Sequence, residues 1–376
     1  MIPFNRPHET GKEIGNIQKA LELGRLSGDG FFTKKAHEKL VALTGAQSAL
    51  LTHSCTAALE MAIILADIGP GDEVIMPSYT FVSTANCVVA KGGVPVFVDI
   101  RADTKNINET IIESALTRKT KAILPVHYAG VSCDMDAING IAKDSNLLVI
   151  EDAAQAYFSK YKNQYLGSIG DLSAYSFHET KNIISGEGGA LLINNQKFIE
   201  RAEIIREKGT DRSKFFRGEV DKYTWVDVGS SFLPGELVAA FLDAQLENAA
   251  VITRKRLAIW SSYANAFSDL ISRERVGGPW IPEYAEHNGH MYYLMLRDVG
   301  ERDRFIAHMK AQEIYCMFHY VPLHSSPGGI RYGRCSGDLG VTTSVSERLV
   351  RLPLWADLGD DQEKVISVAL EFFKDN

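Results

Sequence analysis

Between residues 48 and 151 the chain alternates short apolar runs with helical segments, and this restricts the fold more than any other feature. SALLT (48–52) is followed by a helical pattern, SCTAALEMAIILADIG, that ends at Gly69. EVIM (73–76) leads into PSYTFVSTANCVVAKGG, and VPVFVD (94–99) follows. AILPV (122–126) precedes HYAGVSCDMDAINGIAKDSN and then LLVIE (147–151). Strands alternating with helices predict βαβ units and a largely parallel sheet. The runs are apolar along their whole length, which fits a sheet covered on both faces. Two further strands, Ala174 to His178 and Ala190 to Asn194, bring the expected number to about seven.

A chain of 376 residues is too long for one simple core. The expected division is a large α/β domain over 1–245 and a smaller α+β domain over 246–376. Residues 10–44 read as helix, loop, helix. The loop GRLSGDG lacks the third glycine and the preceding strand of a dinucleotide fingerprint, so it is either an active-site edge or a plain connector. From Gly235 to about Leu270 apolar residues recur at helical spacing, predicting one long or broken helix. Beyond it, Met291 to Leu296 and Ile314 to Phe318 read as strands, and Arg302 to Gln312 and Gln362 to Lys374 as helices.

Several function classes are excluded at this level. The net charge is −7, with no basic footprint for nucleic acid. Five scattered cysteines (Cys55, Cys87, Cys133, Cys316, Cys335) show no CxxC spacing, which argues against a disulfide framework and fits a reducing cytosol. The polar start MIPFNRPHETGKE shows no secretory signal. The apolar segment Leu59 to Ile68 is too short to span a bilayer and is broken by Glu60 and Asp67. A cytoplasmic protein without membrane partner is expected. His319 and His324 of HYVPLH have no third ligand at metal spacing, so no metal is expected there. They line a cleft between the domains or simply pack.

The chemistry centres on Ser173 to Asn194, SAYSFHETKNIISGEGGALLIN, where Lys181 sits in a turn between two buried strands. Most lysines are solvated surface groups. An amine pinned in such a turn can instead form a Schiff base with a carbonyl, including that of pyridoxal phosphate. Upstream, LLVIEDAAQ (147–155) places Asp152 at the carboxyl end of a strand, where open α/β sheets bind ligands. An aspartate there keeps a pyridinium nitrogen protonated, or it caps a following helix. His53 to Ala57 puts small hydroxyl residues at the start of a helix, a place that binds phosphate. Ser54 and Thr56 are also ordinary N-cap residues. Ser176 is a second candidate phosphate contact. Phe81 is placed either on the face of a planar ring or in the core.

The motifs HSCTAALEMA, PSYTFVSTAN, PVHYAG, VIEDAAQ, SFHETKN with GEGGA, and HYVPLH occur together in this order. In this the chain resembles the DegT/StrS family of sugar aminotransferases, from about residue 10 to its end. The resemblance implies the type I, aspartate-aminotransferase-like fold of pyridoxal-phosphate enzymes. It implies that Lys181 is the catalytic Schiff-base lysine, that Asp152 lies under the pyridinium nitrogen, and that Gln155 lies near the ring oxygen. Thr56 with the backbone around Cys55, and Ser176, correspond to the phosphate loop, and Phe81 to the ring-stacking aromatic. Many members carry an asparagine that crosses from the partner subunit to the phosphate. Here GSSFLPGEL puts the shorter Ser231 in that position.

The stretch KGTDRSKFFRGEVDKYTWVDVGSS, between Glu207 and Pro234, is long for an irregular loop inside a compact domain. Phe215, Phe216, Tyr223 and Trp225 speak against disorder, so contact with a partner chain or substrate is expected. Arg212 and Arg217 either meet a sugar-nucleotide diphosphate or remain solvated. His319 and Tyr320 are placed at the substrate. The closer motifs MIPFN, AEIIREKGT and VDKYTW resemble the branch of the family that acts on dTDP-4-oxo-6-deoxy-D-glucose. That likeness implies a homodimer with shared sites that moves an amino group from L-glutamate to the sugar's C4 ketone. The implied product is dTDP-4-amino-4,6-dideoxy-D-galactose, destined for enterobacterial common antigen. Amination at C3, the C4 epimer and a non-catalytic cofactor-binding sensor stay open. A same-fold dehydratase would carry histidine in place of Lys181.

Overall fold

The computed structural model describes residues 1–374. Among the described residues the first half gives seven strands to the main sheet: β1 (Ser48–Thr52), β2 (Glu73–Pro77), β3 (Val94–Val98), β4 (Thr120–Ile123), β5 (Leu148–Asp152), β6 (Leu172–Ser176) and β7 (Gly189–Ile193). Three more follow: β8 (Tyr293–Met295), β9 (Arg334–Cys335) and β10 (Leu349–Arg351). The main sheet has eight strands in the order β1-β7-β6-β5-β4-β2-β3-β9. Only β7 runs against the rest.

Neighbouring residues of each strand enter opposite layers. Leu51, Ile75, Val96, Ile123, Val149 and Leu192 join one core cluster. Leu50, Val74, Phe97, Ala122, Ile150 and Leu191 join another on the other face. Side chains on a strand alternate between faces, so a sheet buried on both sides needs unbroken apolar runs. A third cluster gathers Ile2 with residues from Ile259 to Phe372 and forms the core of the smaller unit.

The expectation of about seven strands falls one short. The eighth, β9, is a two-residue strand from the carboxyl-terminal part that pairs with β3, Arg334 against Val96. Two residues carry no readable period. The Arg334 guanidinium holds the strand in place by a fork onto Glu73 at 2.8 and 2.7 Å. Ile314 to Phe318, expected as a strand, makes only single bridges, Ile2 with Ile314 and Met317 with Arg351. Each neighbour meets it at one residue, so no ladder forms. The long helical region is two helices, Glu236–Glu247 and Ala249–Ser272. No helix among the described residues is long and apolar enough to cross a membrane.

The amino-terminal helices are Glu13–Glu22 and Phe31–Thr44. The glycine loop between them is a tight joint. The N–H groups of Gly30, Phe32 and Thr33 donate to the buried carboxylate of Glu236 at 3.0, 2.8 and 3.1 Å. A Cβ on Gly30 would stand 2.5 Å from that side chain, which is why glycine is required.

Glu151 anchors the end of β5 that presents Asp152. It is fully buried and accepts from the N–H groups of Gly167, Ile169 and Gly170 at 2.9, 2.8 and 2.6 Å. His127 Nε2 lies 2.9 Å away. Burial pushes the Glu151 pKa up, but His127 and the N–H donors outweigh it and hold it below its ordinary value. Glu151→Ala strands several buried donors at once, each worth about 1–3 kcal/mol. Stability is expected to fall by at least about 3 kcal/mol in denaturant titration. A loss under about 1 kcal/mol would show that the turn holds without this carboxylate.

Candidate active site

Lys181 lies in the connection between β6 and β7, as a hairpin whose backbone is closed on both sides. Phe177 N–H donates to Gly188 O, Glu179 N–H to Gly186 O and Lys181 N–H to His178 O, at 2.8, 2.8 and 2.9 Å. Gly186 takes φ +78°, a left-handed conformation that favours glycine. Gly189 serves another purpose. A Cβ there would stand 2.5 Å from the backbone of Ser54 and Cys55, so its absence lets β7 pack directly under the first turn of the helix Cys55–Leu65.

The first turn of that helix offers backbone donors. Ser54 caps the helix, its Oγ accepting from Ala57 N–H at 3.1 Å. The N–H groups ahead of Ala57 have no acceptor within the helix. The Thr56 hydroxyl shares a 2.8 Å hydrogen bond with Ser83. Both face a cavity of about 530 Å³, which Ser176 and Cys55 also line. Burial raises the Cys55 thiol well above its ordinary pKa.

Asp152 opens into the same cavity at the carboxyl end of β5. No helix follows it, so it does not cap one. Its Oδ1 accepts from Ala154 N–H at 3.1 Å and its Oδ2 from the Thr84 hydroxyl at 2.8 Å. Thr84 is in turn bonded to Thr80 at 2.8 Å. Burial raises the Asp152 pKa, opposed by Thr84, by Ala154 and by the charge of Lys181. A carboxylate in this condition is made ionised by a cation placed against it.

Lys181 also lines the cavity, and among the described residues its amine makes no hydrogen bond or ion pair. Burial lowers its pKa below the ordinary 10.5, against the raising influence of Cys55 and Asp152, and Arg351 lowers it further. A depressed lysine in a cleft is both nucleophile and proton carrier.

The remaining predicted residues divide. Phe81 is 56% exposed and lines the cavity, with its ring centroid 6.4 Å from that of Tyr320. Gln155 lines it too, accepting from Ala129 N–H at 2.6 Å and donating to the Tyr320 hydroxyl at 2.8 Å. His319 and Tyr320 stack 3.6 Å apart, and His319 Nδ1 shares a 2.7 Å hydrogen bond with the Tyr128 hydroxyl. Arg212, Arg217 and Ser231 do not line the cavity in this chain. Arg212 lies over Phe216 and near Glu207, and Arg217 pairs with Glu203 and Glu219. Ser231 is exposed and its backbone bridges Glu207. Sequence reading missed Thr84, Arg256, His290 and Arg351, which come from four separate regions and share no local pattern.

The DegT/DnrJ/EryC1/StrS aminotransferase family matches residues 7–370. The chain belongs to that family. It is 37% identical over 367 residues to an uncharacterised protein of Methanocaldococcus jannaschii, covering 96% of this chain and 94% of the relative. It is 33% identical over 385 residues to the spore coat polysaccharide biosynthesis protein SpsC of Bacillus subtilis, covering 99% and 97%. Among solved structures, Spr1654 of Streptococcus pneumoniae, described as a sugar aminotransferase and solved in its PMP form, superposes with TM-score 0.92. That pair is 26% identical and both chains are fully covered. The fold is the type I fold of pyridoxal-phosphate-dependent aminotransferases. Enzymes of this DegT/StrS family use pyridoxal phosphate, and the cavity suits it: an unpartnered amine, a buried carboxylate short of a cation, and a helix start for a phosphate.

The Lys181 amine should react with an added aldehyde with a midpoint below 10.5, its reactive fraction growing as pH rises through the depressed pKa. Asp152→Asn removes a carboxylate that opposes the depression, so the midpoint should drop further. Mass spectrometry of the trapped lysine against pH checks both, and a midpoint at or above the ordinary value would contradict the burial described.

Proposed function

We propose that this chain is a pyridoxal-phosphate-dependent sugar aminotransferase that transfers an amino group from L-glutamate to the C4 ketone of dTDP-4-oxo-6-deoxy-D-glucose. The product is dTDP-4-amino-4,6-dideoxy-D-galactose, made in the cytoplasm for a surface polysaccharide. The single observation that carries the reading is an unpartnered, pKa-depressed lysine in one buried cavity with Asp152. The relation to SpsC, named for polysaccharide biosynthesis, supports the pathway class.

When bound, pyridoxal phosphate supplies an electron sink for negative charge on the substrate carbon. Lys181 would hold the aldehyde end of the group, and its Nζ is the residue placed to carry a proton to and from the substrate carbon. Asp152, aimed by Thr84 and Ala154 N–H, would pair with the ring nitrogen. The N–H groups at the start of the helix Cys55–Leu65, with the hydroxyls of Thr56 and Ser176, would hold the phosphate. Phe81 would cover a face of the ring, and Gln155 would lie beside its oxygen. His319 and Tyr320 receive the sugar from the opposite wall. Burial keeps His319 far below its ordinary pKa, so it acts as a neutral hydrogen-bonding group.

The reading includes a homodimer with shared sites. Phe216, Tyr223 and Trp225 are exposed at 63, 51 and 79%, a dense aromatic group for a free surface. They lie in the segment that also carries Arg212, Arg217 and Ser231, which a second copy would bring to the first copy's cavity.

Lys181→Ala should reduce kcat by at least about a thousandfold, the upper range for losing a positioned acid–base group together with the nucleophile. The wild-type product, read by NMR, should show the small H3–H4 coupling of an axial C4 amine. A C3 amine or a large coupling would reject the C4 galacto assignment. Light scattering should find two copies per particle, and the double variant Phe216→Ser with Trp225→Ser should shift it toward one copy with loss of activity. A fully active monomer would reject shared sites.

A further inference from the structure

We propose that a second cavity, walled by Lys105, Arg348 and Trp280, binds a small anion that carries a flat ring. The site is separate from the cavity of Lys181 and does not depend on the transaminase reading.

This cavity has a volume of about 440 Å³, within the range of small-molecule sites. Three stretches far apart in the chain wall it: the turn 102–105 beyond β3, the segment 277–280, and the helix Gly340–Arg348. Hydrogen bonds fix these walls. At the start of the helix the N–H groups of Val341 and Thr342 donate to the Asp99 carboxylate at 3.0 and 2.8 Å. Gly277 and Met295 exchange backbone hydrogen bonds at 2.9 and 2.8 Å. The space is built into the fold.

Charge selects the ligand. Among the described residues the charged side chains lining this cavity are Asp103, Lys105 and Arg348. Asp103 is already matched. Arg101 grips it through Nε and a terminal nitrogen at 3.0 and 2.8 Å, and Thr104 N–H donates to it at 2.6 Å. Among the described residues no carboxylate forms an ion pair with Lys105 or with Arg348.

Lys105 is buried, and its backbone is left-handed with φ +64°. Its amine turns back to the carbonyls of Ala102 and Asp103, and lies 5.8 Å from the centroid of the Tyr293 ring. Arg348 donates from Nε to Leu296 O at 2.7 Å and from one terminal nitrogen to the Ser344 hydroxyl at 3.3 Å. Its second terminal nitrogen makes no hydrogen bond among the described residues. A lysine closing its own turn and an arginine ending a helix account for these contacts. They leave two cations on one cavity without a counter-ion, and burial makes that costly. Burial lowers the Lys105 pKa from 10.5 to about 8, with Asp103 opposing the fall and Arg348 adding to it. An oxyanion between the two cations relieves both.

The ring is for Trp280. Its indole is 48% exposed, on a cavity that the buried side chains of Met295 and Val345 close with apolar surface. An indole beside two cations suits a flat ring whose oxyanion meets Lys105 and Arg348. Aromatic carboxylates and phosphate monoesters share that chemistry.

The holoenzyme is treated at pH 8 with an acetylating ester, and acetylation of Lys105 is read by mass spectrometry of its peptide. At that pH about half of the Lys105 amine is neutral and reactive. A bound oxyanion favours the charged form, so the reactive fraction falls. Millimolar benzoate or phenyl phosphate should lower Lys105 acetylation at least about threefold, as a pKa rise of about 0.7 would give. Benzamide, with the same ring and no charge, should leave it unchanged, and inorganic phosphate should protect less than phenyl phosphate. Arg348→Gln should lose most of the protection while keeping the cofactor absorbance. Stronger protection by phenyl phosphate assigns a phosphate ester as the ligand, and stronger protection by benzoate assigns a carboxylate. Unchanged acetylation with both anions, equal protection by benzamide, or full protection in Arg348→Gln would overturn the site. Inorganic phosphate protecting as well as phenyl phosphate would overturn the ring. The comparison of benzoate with benzamide is made on the wild type, so it decides the matter even where the variant does not fold.

Discussion

Everything in this molecule is arranged around the burial of one amine and one carboxylate in a common cavity without direct contact. Water would hold both charged and idle. Burial pulls the amine toward its neutral, nucleophilic form and the carboxylate toward its protonated form. Each is then poised toward a partner with complementary chemistry, an aldehyde for Lys181 and a cationic ring nitrogen for Asp152. The surrounding structure keeps them in that condition.

Two devices do this from below. Glu151 ties the end of β5 to the turn before β6 through three N–H groups, so Asp152 emerges from a strand that cannot shift. Gly189 lets β7 press against the backbone of Ser54 and Cys55, which sets the start of the helix Cys55–Leu65 directly over the hairpin that carries Lys181. In both cases a local sequence choice, a buried glutamate or a missing Cβ, controls the distance between elements far apart in the chain.

A polar belt closes the site from the side. Asn182, next to Lys181, donates to Asn288 O at 3.0 Å and accepts from His290 at 2.9 Å. Asn288 donates to the carbonyls of Gln155 and Tyr157 at 2.9 and 2.8 Å. Gln155 reaches on to Tyr320 at 2.8 Å. The lysine turn, the segment after β5 and the stretch around Asn288 and Tyr320 are thus joined by a chain of hydrogen bonds, which fixes directions that apolar contact alone would leave free.

The alternation of apolar runs was enough to read the parallel sheet, because two-sided burial demands unbroken hydrophobic strands. The FHETKN turn, the aspartate after LLVIE and the small residues after Thr52 were legible as chemistry because each is a local pattern with a local cause. The two-residue β9, the missing strand at 314–318, and the roles of Thr84, His290 and Arg351 were not. Thr84 matters only because its helix passes under Asp152, and Arg351 only because β10 delivers it to the cavity of Lys181. Sequence by itself determined which elements form and which residues could react. Tertiary structure alone decided which of them share one cavity, since pKa shifts and unmet hydrogen bonds arise from burial and proximity, and neither is written in the order of the chain.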